Sequence, residues 1–318
     1  MSNKIILKTN PSLVSVVIPN YCHARYLDQR IQSVLNQTYR NFEVIILDDC
    51  SPDNGASKAV IEKYREDSHI SQIVYNEENS GNTFKQWDKG IALAKGDVIW
   101  IAESDDFCEP TLLEELVKAY TQRENIVMAF APVVFTTEAG KPIGYYSEEG
   151  RTQFIRSRDF ITKYLTVDNC VQNASCCIFS KEVALSIDRR YTKYRGIGDW
   201  WFWFEMAEKG DVVIVNKHLS YFRRHEGVVT MQRIADGSNL VDEKEFLDYI
   251  ASNFSLPKWR WNYIYHRHAD SKRDLPFNTE EIRSRMAKMW NFDKKYSLWE
   301  RFVYRLINHI SRKFLYRI

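Results

Sequence analysis

The chain has 318 residues, with 44 basic against 42 acidic side chains, a formal net charge of +2, 44% apolar and 14% aromatic residues. That balance excludes the one-sided field a nucleic acid selects for, so no nucleic-acid partner is expected. The apolar content is enough for a large core. The six cysteines form no CxxC pair, which argues for reduced thiols rather than a zinc site or a disulfide framework. The start lacks a basic segment followed by an apolar run, and no stretch nears the roughly 20 apolar residues of a membrane span. A cytoplasmic protein is expected.

Along the first half, strand and helix patterns alternate. "LVSVVI" (13–18) is a β-branched run ended by Pro19-Asn20, and Leu27, Ile31, Val34 and Leu35 then recur at helical spacing. "FEVIILDD" (42–49) predicts a second buried strand, closed by Ser51-Pro52-Asp53-Asn54-Gly55. A helix over 58–65, a strand over 71–76, a helix over 84–94 and the strand "VIWIA" (98–102) follow. Such alternation predicts βαβ units and a parallel sheet, in which ligands sit beyond the carboxyl ends of the strands. Those ends are Pro19-Asn20-Tyr21, Asp48-Asp49 and Glu103-Ser104-Asp105-Asp106. The second half predicts strands at 126–130, 175–180, 212–215 and 219–222 and a helix over 200–208. Mixed-charge helical segments follow Thr230, so the expected division is 1–230 and 231–318. Neither GxGxxG after the first strand nor GxxxxGK[ST] occurs, which disfavours dinucleotide cofactors and P-loop chemistry.

The stretch "IWIAESDDFCEP" (99–110) runs from a buried strand into three acids within four residues. Carboxylates so crowded need a positive partner. A hard divalent cation such as Mg²⁺ or Mn²⁺ takes one or two carboxylates plus substrate phosphates, which suits this spacing. The bland alternative is that Asp105 or Asp106 caps the helix of "PTLLEELVKAY". Read singly, Asp49 is a turn acid, Tyr21 a boundary aromatic and Asp199 a helix cap. His225 would be a solvated turn residue, and Lys85 and Trp87 would be surface and core.

Taken in order, "VSVVIPNY", "VIILDDCSPDNG", "NSGNTFKQWDKGIALAKGDVIWIAESDD", "GDWWFWFEMAEKG" and "YFRRHEGVVT" resemble the inverting family 2 nucleotide-sugar glycosyltransferases, from about Leu13 to Thr230. The resemblance implies a GT-A fold: a Rossmann-like mixed α/β sheet flanked by helices, here with a C-terminal helical extension. It implies that Tyr21, with Pro19, lies by the nucleotide base and that Asp49 accepts a hydrogen bond from it. "ESD" takes the DxD position, so Asp105 would hold Mg²⁺ or Mn²⁺. Glu103 would lie by the ribose and metal shell, with Ser104 between them and Asp106 supporting. Asp199 would be the catalytic base, in a half-dry pocket lined by Trp200, Trp201 and Trp203. His225, Arg223 and Arg224 would touch diphosphate or metal, and Lys85 the donor.

Three positions depart from the family's pattern: Cys22 stands where Asn is usual, Glu103 where Asp is, and Gly198 where Glu is. No QxxRW motif of processive members occurs, which implies one sugar per encounter. The expected donor is a nucleoside diphosphate sugar, UDP-linked, and the acceptor a glycan or lipid-linked hydroxyl in cell-surface polysaccharide synthesis. The alternatives are a non-catalytic nucleotide-binding or scaffold protein and a nucleotidyltransferase, although "PNYCHARYL" lacks the latter's glycines. In "SLWERFVYRLINHISRKFLYRI", Leu298, Phe302, Leu306, Ile310 and Phe314 form an apolar stripe beside a basic face. That composition fits an interfacial helix on the inner face of the plasma membrane, or one docked on its own domain or on a second subunit.

Overall fold

The computed structural model describes residues 13–225, 229–294, 299–300, 303–304 and 306, and only the backbone of 229–231. Strands β1 (Val14–Asn20), β2 (Phe42–Asp48), β3 (Ile70–Tyr75) and β4 (Val98–Ile101) alternate with helices α1 (Ala24–Leu35), α2 (Ala56–Glu62) and α3 (Thr83–Leu93). Then come β5 (Phe107–Cys108), α4 (Leu112–Tyr120), β6 (Ile126–Phe130), β7 (Val133–Thr136), β8 (Pro142–Tyr145) and β9 (Gln153–Ile155). Helix α5 (Ser157–Asp159) runs into a π-helical turn at Phe160–Leu165, and a 3₁₀ turn at Ala174–Cys176 leads into β10 (Cys177–Ser180). After these stand α6 (Lys181–Ser186), α7 (Gly198–Ala207), β11 (Asp211–Ile214) and β12 (Ser220–Arg223). The last elements are α8 (Val229–Ala235), α9 (Ser238–Asn253), α10 (Lys258–Lys272) and α11 (Glu280–Trp290).

The large sheet has eight strands in the order β3-β2-β1-β4-β10-β6-β11-β9. β1 to β4 are mutually parallel, β10 runs antiparallel between β4 and β6, and β11 is parallel to β6. One antiparallel strand thus restores direction, so the carboxyl ends of β1, β2, β4, β6 and β11 share one rim. The sheet is mixed rather than wholly parallel. Pro19 fits near the end of β1 because pairing to β4 stops at Val17, so its missing N–H costs that ladder nothing.

Period-two alternation separates the two faces. Val14, Val16 and Ile18 pack with Leu27, Ile31 and Val34 of α1 and with Leu113 and Leu116 of α4. Val17, Ile45, Leu47, Ile99 and Ile101 face α3 and α7. Helix α7 is buried on every side, Asp199 alone excepted. Trp200, Trp201 and Trp203, expected to line a pocket, are instead 5%, 1% and 0% exposed. The correction has a plain cause: a helix apolar all round belongs in a core. Phe246 of α9 packs on Trp200 and Trp201 at 4.9 Å, so the C-terminal helices share this core.

A second, four-stranded sheet, β5-β12-β7-β8, stands beside the rim, and of its strands only β12 was expected, over 219–222. Its strands of two to four residues are too short to show a period. β8 is its exposed edge, beginning at Pro142 and paired to β7 across an irregular register. The amphipathic stripe read over 298–318 lies almost wholly outside the described residues. No helix among the described residues is long and apolar enough to cross a membrane.

The contact of α3 with β1 is set at Gly90, where an added Cβ would fall 2.3 Å from Cγ1 of the fully buried Val17. Gly90→Ala gains about 0.5–1 kcal/mol of helix propensity but overpacks a stiff β-branched neighbour at about 1–3 kcal/mol. Urea unfolding should show a net loss of roughly 1–2 kcal/mol with an unchanged slope. A variant as stable as wild type would mean that α3 can lift off the sheet.

Candidate functional site

The acids after β4 do not cap α4. Its N-cap is Thr111, without a side-chain bond, and the acids turn inward. Asp106 is 1% exposed. Its Oδ2 accepts from Ser175 Oγ at 2.8 Å and from Asn173 Nδ2, and its Oδ1 from the Arg223 backbone N–H at 3.0 Å. Arg30 of α1, 0% exposed, lies 3.9 Å from Asp106 and donates to Ser175 Oγ at 3.0 Å and to the Glu103 carbonyl at 2.8 Å. Burial, helped by the charge of Asp105, pushes the Asp106 carboxyl up. The same two causes push Glu103 up to about 8, although Trp87 Nε1 donates to its Oε1 at 2.8 Å. Burial also pushes Asp105 up, but the hydrogen bond from His225 and the charges of His23 and His225 outweigh it, and the net shift is downward.

Asp105 Oδ2 lies 3.0 Å from His225 Nε2, and the His225 side chain is only 4% exposed. A carboxylate and an imidazole so close on the rim are donors a divalent ion accepts, so the residues present fit the expected cation. Arg223 is 3% exposed and ties the acid loop down from within. Its Nε donates to the Asp105 carbonyl at 2.7 Å, its Nη2 to Gln29 Oε1 at 2.7 Å and its Nη1 to the Glu138 carbonyl. Arg224 points to the other side of β12, its guanidinium over Phe222 and Phe135.

On the neighbouring strand ends, Asp48 accepts from Asn20 Nδ2 at 2.7 Å and Ser51 Oγ at 2.7 Å. Asp49 is more heavily engaged. It accepts from Asn76, Gln86 and the Ser80 N–H on Oδ1 and from Ser80 Oγ and Asn79 on Oδ2. A carboxylate has about four lone-pair sites, so this one is filled by the chain's own donors and anchors the 76–82 loop. Tyr21 stands 45% exposed at the rim, and Lys85 is tied to the Ser80 carbonyl at 3.0 Å. Ser104, 2% exposed, lies 2.9 Å from His23 Nδ1.

Asp199 sits in the first turn of α7. Its Oδ1 accepts from the Trp200 N–H at 2.8 Å and its Oδ2 from Asn169 Nδ2 at 2.7 Å. Burial pushes its carboxyl up to about 6 against both bonds. The residue before it has no room for a side chain: a Cβ on Gly198 would fall 2.3 Å from the Phe84 ring and 2.5 Å from the Tyr191 carbonyl. Asn169, Asn173 and Ser175 lie in one loop, which therefore reaches both Asp199 and the acid cluster.

The structure brings together Glu103, Ser104, Asp105, Asp106, Arg223 and His225, sets Pro19, Tyr21 and Asp49 on adjoining strand ends, and turns Lys85 and Arg224 elsewhere. Sequence reading missed His23, Arg30, Asn169 and Ser175. Only Arg30 left a signal, being an arginine on the apolar stripe of Leu27, Ile31 and Val34.

A family profile described as "Glycosyl transferase family 2" matches residues 15–186, more than half of the chain. Glycosyltransferase GlyG of Streptococcus pneumoniae is 27% identical over 68% of this chain and 72% of its own length. Poly(ribitol-phosphate) beta-N-acetylglucosaminyltransferase TarP of Staphylococcus aureus is 30% identical over 57% of this chain, which spans about half (52%) of TarP. Among solved structures, S. aureus TarS 1–349 in complex with UDP-GlcNAc superposes with a TM-score of 0.65 at 16% identity, over 87% of this chain and 79% of that one.

Removing one partner from a buried charged network costs about 3–5 kcal/mol. Arg30→Met keeps the length of the side chain and deletes its charge and donors. It should lower unfolding free energy by about 3 kcal/mol or more. A loss under about 1 kcal/mol, the scale of an exposed ion pair, would show that the acids do not depend on it.

Proposed function

The chain belongs to glycosyl transferase family 2, and on that premise we propose that it moves a hexose from a nucleoside diphosphate sugar to a hydroxyl of a glycan or lipid-linked acceptor. We read the donor as UDP-linked, the reaction as inverting, and the product as cell-surface polysaccharide extended one sugar at a time. The UDP reading is supported by the UDP-GlcNAc bound to TarS, whose fold the chain shares, and the polysaccharide reading by the similarity to TarP. The absence of QxxRW supports distributive action.

The observation that carries the reaction is Asp199: a half-buried carboxylate whose pKa is pushed up to about 6, held by Asn169 and linked through one loop to the acids. A carboxylate poised below neutrality is ionised at pH 7 and basic enough to take a proton. In the proposed step, Asp199 takes the proton of the acceptor hydroxyl as that oxygen attacks the anomeric carbon. The bond to the diphosphate breaks on the opposite face, its electron pair leaves with the diphosphate, and a single displacement inverts the anomeric centre. A divalent cation, Mg²⁺ or Mn²⁺, bound at Asp105 and His225 supplies neutralisation of the charge on the departing diphosphate. Glu103 and Asp106 support that site from behind, and Arg223 holds its loop. Tyr21 offers a flat exposed face to the base beside Pro19. Asp49 shapes that end through the 76–82 loop.

Asp199→Asn should lower turnover about 10²–10⁴-fold, while a thermal-shift assay still reports UDP binding. Wild-type turnover in that variant would remove Asp199 from the role. The pH profile checks the same group from another side. Activity should rise with pH through about 6 as the carboxyl ionises. Asn169→Ala deletes a bond that favours the ionised form, so its rising limb should move to higher pH. An unmoved limb would mean that the titrating group is not Asp199.

A further inference from the structure

His23 has no assigned part in the reaction above, yet its surroundings are built. It directly precedes α1, whose first turn its backbone carbonyl closes, but its side chain makes no capping bond. One ligand-type atom each from His23, Asp105 and His225 lies within 4.8 Å of the others, the only such group of three among the described residues. The His23 and His225 rings meet edge to face at 5.7 Å, and Tyr26 packs on both, at 6.0 and 5.4 Å. Three ligands about 2.1 Å from one ion lie roughly 3 to 3.6 Å from one another, so atoms spaced up to 4.8 Å apart draw in by about an ångström on closing around it. Resting on the reading of Asp105 and His225 as metal ligands, we infer that His23 is a third ligand of the same cation, oriented by Ser104, and that the resulting donor set selects Mn²⁺ over Mg²⁺.

The chemistry supports each part. A metal-bound histidine gives its other ring N–H to an acceptor that fixes the tautomer and the ring plane. Ser104 Oγ stands 2.9 Å from His23 Nδ1 and is buried. A proton on Nδ1 leaves the lone pair on Nε2 for the ion. Ser104 thereby acquires a use that its burial denies it as a direct sugar contact. Mg²⁺ prefers a shell of oxygens and waters, whereas imidazoles favour first-row transition ions. Two imidazoles and one carboxylate therefore tilt the choice toward Mn²⁺.

The test is Mn²⁺ titration of the full chain by electron paramagnetic resonance, with UDP present, and Mg²⁺ by competition. Wild type, Asp105→Ala, His23→Gln and Ser104→Ala are compared. Asp105→Ala should abolish binding. His23→Gln should weaken Mn²⁺ at least about 10-fold and Mg²⁺ far less, and Ser104→Ala should weaken Mn²⁺ by about 10-fold. Echo-modulation spectra should show two coupled imidazole nitrogens in wild type and one in His23→Gln. Melting curves check that the variants fold, and Ser104→Ala, which keeps the ring, carries the test if His23→Gln does not. Mn²⁺ affinity and nitrogen couplings unchanged in the His23 and Ser104 variants, with binding lost in Asp105→Ala, would overturn the inference and leave the metal reading intact. No Mn²⁺ bound by wild type would overturn both.

Discussion

Three carboxyl groups at the end of one buried strand would drive each other apart, and the architecture around the rim is the means of preventing that. The guanidinium of Arg30, wholly buried, supplies positive charge beside Asp106 and fixes the backbone of Glu103. Neutral donors do the rest: Asn173 and Ser175 on one side, the Arg223 N–H on another, Trp87 on Glu103. The acid that remains ionised most readily is Asp105, which faces the two histidines. Helix α1 must lie where Arg30 can reach, the loop before β10 where Ser175 can, and β12 where its last amide meets Asp106. The small sheet makes sense in this light, since it brings β12 to the rim.

The first four strands and three helices are legible in the sequence because each is a run of apolar residues long enough to show its period. Their boundaries fall within about two residues of the structure, except that α2 ends at Glu62, three residues before the expected end. Of the small sheet only β12 is legible, as the strand over 219–222; β5, β7 and β8 are not, since strands of two to four residues carry little pattern and β7 follows β6 after only Ala131 and Pro132. At the site, acids are conspicuous and their partners are not. Asn169, Asn173 and Ser175 are ordinary loop residues until the fold brings them to carboxylates; Asn169 is 30 positions from Asp199 and Ser175 69 from Asp106. Trp200, Trp201 and Trp203 misled for the opposite reason: aromatic side chains beside a polar site suggest a binding wall, but a helix apolar on all faces is core.

The departures from the family's pattern have physical accounts. Cys22 has φ of 58°, a left-handed conformation that asparagine enters more readily than most side chains, and its N–H is held by Ser51 Oγ at 2.9 Å. The turn is thus kept with a less suited residue. Gly198 is fixed by Phe84 and the Tyr191 carbonyl, which fill the space a side chain would need. The extra methylene of Glu103 carries its carboxylate to Trp87 Nε1, while Asp105 meets His225.

The exposed edge strand β8 bears on how the protein behaves at high concentration. An open strand edge is a template on which another chain can add itself, and sheets that end in long flat edges aggregate. Here the edge is four residues long, opens with a proline that has no N–H to offer, and departs from regular register at Phe135 and Thr136. Ile143 and Tyr145 are exposed on it, side chains that would otherwise favour stacking. A strand so short, opened by proline and irregular in register, is a poor template for a further strand even with those side chains in water.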